Sequence, residues 1–326
     1  MSDLLFGLLA IILGVVVTLG LYRGLDFIIS HLPAKWEERL RAWTYLLPAS
    51  VLLLAVLIYP LVQTFIYSFM NASGKKFVGT KNYVDLFTDP DFFDILINNF
   101  LWVAIVPAGT VFIGLLIAVL TNQVGPRREK IFKSLIFMPM SISFVSAATI
   151  WKFMYEFVPP GRPEIGLFNR IMTALGLEAQ PWMNISDYRL NSMMLMIIII
   201  WLQAGYSMVM ISSAIKAVPE ETIEAAKIDG ASAFQTFMKV VLPQIRATVM
   251  AVFVTVLIMV MKIFDIVLAM TGGAFTTSVL GFEFYQQYFL NANVGLASAI
   301  VTILTLLIAP LMYIQIRTVR HQESLR

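Results

Sequence analysis

The chain has 326 residues, 59% of them hydrophobic and 13% charged. A soluble domain carries about 25% charged residues, so this composition excludes a water-facing globule, a disordered chain, a fibre and a nucleic-acid-binding module. The net charge of +3 is too small to favour a polyanionic partner, and the absence of cysteine excludes disulfides, zinc–thiolate sites and iron–sulfur clusters.

A helix that crosses about 30 Å of hydrocarbon at 1.5 Å per residue needs roughly 20 mostly apolar residues. Seven segments qualify: Leu4–Tyr22, Tyr45–Met70, Asn99–Asn122, Leu135–Tyr155, Leu190–Ala214, Ala247–Thr271 and Leu296–Ile316. The first is read as a retained helix rather than a secretory leader. Its start, Met1-Ser2-Asp3, has no cation, and Leu21-Tyr22-Arg23-Gly24 holds no small-x-small cleavage site. Within Leu25–Trp43, Trp36, Leu40 and Trp43 share one helix face, while Glu37, Glu38, Arg39 and Arg41 fall largely on the other. That pattern predicts a helix in the headgroup plane, in preference to a solvated connector. Pro48, Pro60, Pro107, Pro139 and Pro310 lie within spans, where neighbouring helices tolerate them. No segment alternates as a membrane β-strand does. The expected fold is all-α: a polytopic membrane bundle of seven helices. Residues 1–43 form the N-terminal spanning and interfacial helices, and residues 44–326 the transmembrane domain.

Cations orient the bundle. The loops after spans one, three and five and the C-terminal tail hold 15 Lys and Arg, and the opposite side holds 6. Positive charge collects in the cytoplasm, so the C-terminus is expected inside and the N-terminus outside. On the outer side, Glu156–Arg189 is a long loop rich in Pro and Gly, with a short helix expected over Leu167–Leu175. Loops of this length usually have a function. It is read as a docking surface for an external protein, with a plain cap over the bundle as the alternative.

The loop Lys216–Arg246 has helix punctuation of its own. Pro219 suits a first helical position, and Glu220 and Glu221 suit the positive end of the helix dipole. Gly230 can end that helix in a left-handed conformation, Ser232 can cap a second, and Pro243 interrupts the second near the next span. The loop therefore predicts a helix–turn–helix on the cytoplasmic surface. Ala225 and Ala226 allow close approach there, Glu224 offers a charged contact, and Gly230 fixes the turn.

Glu224-Ala225-Ala226-x3-Gly230-x9-Val240-x-Leu242-Pro243 resembles the EAA loop of permease subunits of bacterial ATP-binding-cassette importers. Only Val240, where Ile is usual, departs from the pattern. Phe77-Val78-Gly79-Thr80-Lys81-Asn82-Tyr83 and the run from Lys262 to Gly273 are similar to segments of carbohydrate permeases. Ser134–Tyr155 and Glu164–Gly176 look closest to the alpha-glucoside and glucosylglycerol branch. The resemblance covers about Trp43 to Arg320 and implies a type I importer permease fold, a six-helix core with one added N-terminal helix. It also implies several partners: a second, homologous permease, two ABC ATPases that use ATP and Mg, and an extracytoplasmic solute-binding protein. Lipid surrounds the bundle, and a sugar passes through it. ATPase coupling would fall to Glu224, Ala225, Ala226, Asp229, Gly230, Leu242 and Pro243. The substrate implied is an alpha-glucoside such as glucosylglycerol, or trehalose or sucrose; maltose and sn-glycerol-3-phosphate are the alternatives within the class.

The residues support a non-enzymatic subunit that binds no cofactor. The sole Gly-Lys pair, Gly74-Lys75, lacks the rest of a phosphate-binding loop. His31 and His321 lie near membrane ends or in the tail, so no metal site is expected. Sugars bind through aromatic faces and polar groups. Candidates within or beside the spans are Asn98, Asn99, Trp102, Trp151, Tyr155, Trp201, Gln203, Tyr206, Phe264 and Asp265, each of which also fits ordinary helix packing. Lys262 and Asp265, at i and i+3, can meet on one helix face. They either line the path or form a local ion pair that braces span six. The 18 methionines suit adaptable packing between helices. A secondary transporter would instead show inverted repeats and a carboxylate relay. The spans hold one acid, Asp265, and no repeat.

Overall fold

The computed structural model describes residues 2–31, 34–159, 161–162 and 165–323. Pro160 and Pro163 of the outer loop, Glu164 of the carbohydrate-permease segment and Arg326 of the basic tail lie outside the described residues. The chain forms two units, Met1–Ile66 and Tyr67–Arg326.

In the first unit, α1 (Ser2–Ser30) is followed by α2 (Ala34–Leu53), a π-helical segment Leu54–Ile58 and the start of α3 (Tyr59–Tyr67). Tyr22 of α1 stacks on Tyr45 of α2 with centroids 5.9 Å apart, and its hydroxyl donates to the Tyr45 carbonyl at 3.2 Å. The stretch Leu25–Trp43, read as an interfacial helix, is divided between two helices. Residues 25–30 end α1, and Ala34 begins a helix that runs on through Leu53, so the expected boundary at 43/44 falls inside α2. The side chains of Trp36 and Leu40, on which that expectation rested, lie outside the described residues. No residue of the Tyr45–Tyr67 stretch is buried.

The second unit comprises α4 (Lys81–Thr88), α5 (Pro90–Asn122), α6 (Pro126–Phe137), α7 (Phe144–Tyr155), α8 (Leu167–Ala174), α9 (Leu190–Lys216), α10 (Glu220–Ile228), α11 (Ala233–Thr236), α12 (Leu242–Met261), α13 (Asp265–Met270), α14 (Leu280–Tyr285) and α15 (Val294–Glu323). Asp89 caps α5 by accepting from the Asp91 amide, with Pro90 at the first helical position, so α5 starts well before the expected Asn99. Among the described residues, six helices are long and apolar enough to cross a membrane, and a bent pair supplies a seventh.

That bent pair replaces the single span expected over Leu135–Tyr155. Pro126–Ser141 and Phe144–Tyr155 diverge by 104°. Pro139, in the 3-10 turn Met138–Ser141, has no N–H to continue α6, and the Ser143 hydroxyl accepts from the Ser146 amide to start α7 afresh. The span expected over Ala247–Thr271 is likewise broken: α12 ends at Met261, Ile263 turns into the core at 2% exposure, and α13 begins at Asp265. Lys262 and Asp265 therefore do not share a helix face. Among the described ion pairs none joins them; Lys262 is exposed and Asp265 half-buried.

The core is built around α5 and α9, which run parallel. Asp94 near the start of α5 meets Arg189 just before α9, and Asn122 at the end of α5 meets Ser212 near the end of α9. Lipid is as apolar as leucine, so burial between membrane helices gains little from leaving a solvent; close packing must supply the attraction. Small residues provide it. Gly109 lies against Ile200, and Gly114 against Ser207. Trp102, Leu195, Ile198, Ile199 and Ile266 fill the centre with no exposure above 1%. A second cluster, of Ala118, Met208, Ile211, Val241 and Ile245, closes the end that carries α10 and α11.

Candidate functional site

The loop between α9 and α12 folds as its punctuation predicts, with two differences, the first being that Pro219 lies just outside its helix. Pro219 precedes α10 as its N-cap, and Glu220 and Glu221 occupy the first turn. Gly230 adopts φ +79°. Its amide donates to the Lys227 carbonyl and that of Ala231 to the Ala226 carbonyl, both at 3.0 Å, the bond pattern of a Schellman cap. Ser232 and Gln235 form a reciprocal capping box at the start of α11. The second difference is at Pro243. No break follows α11: Ala233–Met261 continues as one helical stretch, with the π-helical segment Phe237–Val241 just ahead of the proline. The wider turn there accommodates the ring and its missing donor.

This helical pair sits on a firm base. Ala226 is buried, and Val218, Ile223, Phe237 and Leu242 pack against the cluster of Met208, Ile211, Val241 and Ile245. The opposite face is open: Glu224, Ala225, Asp229 and Gly230 are exposed, as is Pro243. Two large apolar side chains stand out beside them, Ile228 at 86% exposure and Phe234 at 73%. The sequence reading missed both. Their signal was available: each is apolar in a short helix and stands two positions from that helix's buried residue, Ala226 or Thr236, and so on the other side of it.

The aromatic candidates divide. Trp102, Trp151 and Tyr155 come together in the main core, where Trp151 packs on Tyr155 (5.1 Å) and Trp201 (5.7 Å). The Tyr155 hydroxyl is spent on the Met194 carbonyl at 3.0 Å. Phe168 of α8 covers this group, 5.1 Å from Tyr155 and 6.1 Å from Trp151. Asn169 beside it ties the outer loop together: its amide donates to the carbonyls of Glu156 and Gln180 and accepts from the Gln180 amide and the Trp182 indole. Asn99 lies elsewhere, on an apolar cavity of about 310 Å³ with Phe100, Val103, Met261 and Leu307. Gln203, Tyr206, Phe264 and Asp265 remain half-buried, with Phe264 against Tyr285 at 5.1 Å.

Asn98 proves to be a joint. Its amide donates to the Thr276 and Ser278 carbonyls at 2.5 and 2.9 Å, and its oxygen accepts from Arg189 at 2.7 Å. Arg189 also pairs with Asp94 at 2.5 Å. The joint holds two strained turns in place, Tyr188–Arg189 and Phe275–Thr276, all at positive φ. Asn98→Leu should cost about 1–3 kcal/mol, because carbonyls and a guanidinium lose a buried partner at once. Thermal unfolding of the detergent-solubilised chain reads this directly; an unchanged midpoint would remove Asn98 from that role.

Residues 110–320 match the family described as the binding-protein-dependent transport system inner membrane component. Over 99% of both chains, the sequence is 39% identical to the alpha-glucoside transport system permease protein AglF of Rhizobium meliloti. It is 44% identical to the osmoprotective compounds uptake permease protein GgtC of Synechocystis sp., over 86% of this chain and 100% of that one. The fold matches a chain of a bacterial ABC transporter involved in the import of the acidic polysaccharide alginate. The TM-score is 0.74 at 19% identity, over 88% of this chain and 99% of that one. Identity sustained over nearly the whole length, on a fold that an ABC importer shares, places the chain in the family of binding-protein-dependent inner membrane components, as a permease subunit of an ABC importer.

Proposed function

We propose that this subunit forms half of the translocation pathway for an alpha-glucoside or a similar small polyol glycoside, in a complex with a second, homologous permease. Two ABC ATPases bind ATP and Mg²⁺ and dock on the α10–α11 loop, and an extracytoplasmic binding protein delivers the solute. The observation that carries this reading is the loop itself: exposed Glu224, Ala225, Ile228 and Phe234 on a base packed into the bundle. Such a surface can receive a push and pass it on as a rigid body. Closure of the ATPases then biases the bundle between two packings, inward- and outward-facing. The count of 15 cations to 6 supports an inner-membrane orientation with the C-terminus in the cytoplasm and the N-terminus outside.

The names of the two relatives support the substrate class, one an alpha-glucoside permease and the other a permease for osmoprotective compounds. Of the predicted pathway residues, we assign half-buried Gln203, Tyr206, Phe264 and Asp265 to the wall, while buried Trp102, Trp151 and Tyr155 brace it. The test is solute-stimulated ATP hydrolysis by the co-purified complex with its binding protein. Alpha-glucosides are expected to raise the rate several-fold, and Tyr206→Ala to weaken that response about tenfold, the scale of losing one well-packed aromatic contact. Stimulation by sn-glycerol-3-phosphate and not by any alpha-glucoside would overturn the substrate assignment.

A further inference from the structure

The basic run before α7 contains one acid, Glu129, and the fold gives it work that its neighbours do not share. Its carboxylate, in a side chain 12% exposed, pairs with Lys133 and with Lys216, each at 2.5 Å. Lys133 also donates to the Ser212 hydroxyl, and Ser212 donates to Asn122 at 2.9 Å. The spacings match. Glu129 and Lys133 stand one turn apart on α6, and Ser212 and Lys216 stand one turn apart on α9. Asn122 is the last residue of α5. Five side chains thus tie the C-terminal ends of α5 and α9 to the first half of α6.

Place in the chain gives this cluster its meaning. Lys216 is the last residue of α9, and only Ala217, Val218 and Pro219 separate it from α10. Glu129 lies in the first turn of α6, the arm that is bent by 104° from α7, and α7 carries Trp151 and Tyr155. Apart from one exposed hydrogen bond from Gln244 to Thr222, the loop otherwise rests on apolar packing, which lets surfaces slide. An ion pair between matched turns does not: a slip of one turn would bring Glu129 to Ser212 and leave Lys216 alone. We propose that Glu129 is a positioning residue for coupling, which locks the α9 end to α6 so that displacement of the α10–α11 loop moves the α6–α7 bend with it. This inference rests on the reading of that loop as the ATPase dock.

The experiment compares solute imported per ATP hydrolysed, in proteoliposomes holding the complete complex, for four variants. Glu129→Gln is expected to lower this ratio about tenfold, within the usual range of coupling between sites. The ATPases should stay bound and hydrolysis should persist. Lys216→Met, at a side chain 54% exposed and so safe for folding, is expected to act in the same direction. The exchange Glu129→Lys with Lys216→Glu keeps the α6–α9 ion pair with its charges reversed, beside a like-charged Lys133, and is expected to restore part of the ratio. A merely structural role would lower import and hydrolysis together and leave the ratio alone. Glu224→Lys separates the two layers of argument. If it keeps ATPases bound and import normal, the docking reading fails. If it loses both while Glu129→Gln and Lys216→Met keep the wild-type ratio, only the positioning role of Glu129 fails.

Discussion

Glu224→Lys and Gly230→Pro are expected to abolish solute import through different physical routes. Glu224 is exposed on α10, so its reversal costs the isolated chain little, within about 0.5 kcal/mol. At a dock, a reversed charge exchanges attraction for repulsion, which costs several kcal/mol. About 3 kcal/mol already weakens association roughly a hundredfold. Gly230→Pro acts on the fold of the loop. The residue sits at φ +79°, which proline, locked near −65°, cannot adopt. The ring also removes the amide that reaches Lys227. Both losses fall on the cap that turns α10 into α11, at a cost of about 3 kcal/mol or more. Gly230→Ala keeps the amide and pays only the left-handed strain, about 1–2 kcal/mol, so its import should fall between wild type and Gly230→Pro. Uptake into proteoliposomes, with ATPase co-purification alongside, checks all three. Import at the wild-type rate by Glu224→Lys would remove the charged contact from the docking scheme.

Local punctuation explains why this loop was legible before any coordinates. Pro219, Gly230 and Ser232 each act on their own turn, and all three do what their chemistry requires. Two prolines show the limit of such reading. Pro139 and Pro243 look alike in an apolar context. The first accompanies a 104° bend, and the second sits in an unbroken helical stretch, because a π-helical segment precedes it and absorbs the mismatch. That choice depends on what packs nearby, and in lipid the surroundings are other helices. The break after Met261 was hidden for the same reason: Ile263 leaves the helix to fill the core, a tertiary demand with no local mark.

Facing was harder to read than location. Trp102, Trp151 and Tyr155 fall in apolar helices, yet nothing in their spacing showed that Phe168 of the loop after α7 would cover two of them. Asn98 and Asn99 are neighbours with unrelated surroundings, one joining two turns and the other on an apolar cavity. Glu129 was overlooked because only cations were counted by loop, and beside Arg127, Arg128, Lys130 and Lys133 a single acid does not enter that count. Its pairing with Lys133 follows from helical spacing, but Lys216 reaches it only through the contact of α6 with α9.

Gly205→Ala is expected to destabilise the chain by about 3 kcal/mol, against the trend for helices. In a helix interior this change normally stabilises by about 1 kcal/mol, since glycine loses more backbone entropy than alanine. Here a Cβ would sit 2.4 Å from the Ile136 carbonyl oxygen and 2.7 Å from the Phe137 Cα. Both are backbone atoms at the α6 end of the bend, so no rotamer change relieves the clash. Helix α9 would have to back away from α6, opening the contact on which Lys216 and Glu129 depend and moving Gln203 and Tyr206 with it. Overpacking costs of about 1–3 kcal/mol are usual where side chains can yield; a backbone-to-backbone seat belongs at or above the top of that range. Gly125→Ala supplies the contrast. Its Cβ meets nothing within 4 Å and its φ of −62° suits any residue, so that variant should match wild type within about 0.5 kcal/mol. Thermal unfolding in detergent separates the two. If Gly205→Ala unfolds at or above the wild-type midpoint, α9 does not need the close seat on the bend, and the rigid link from the loop to α7 loses its middle member.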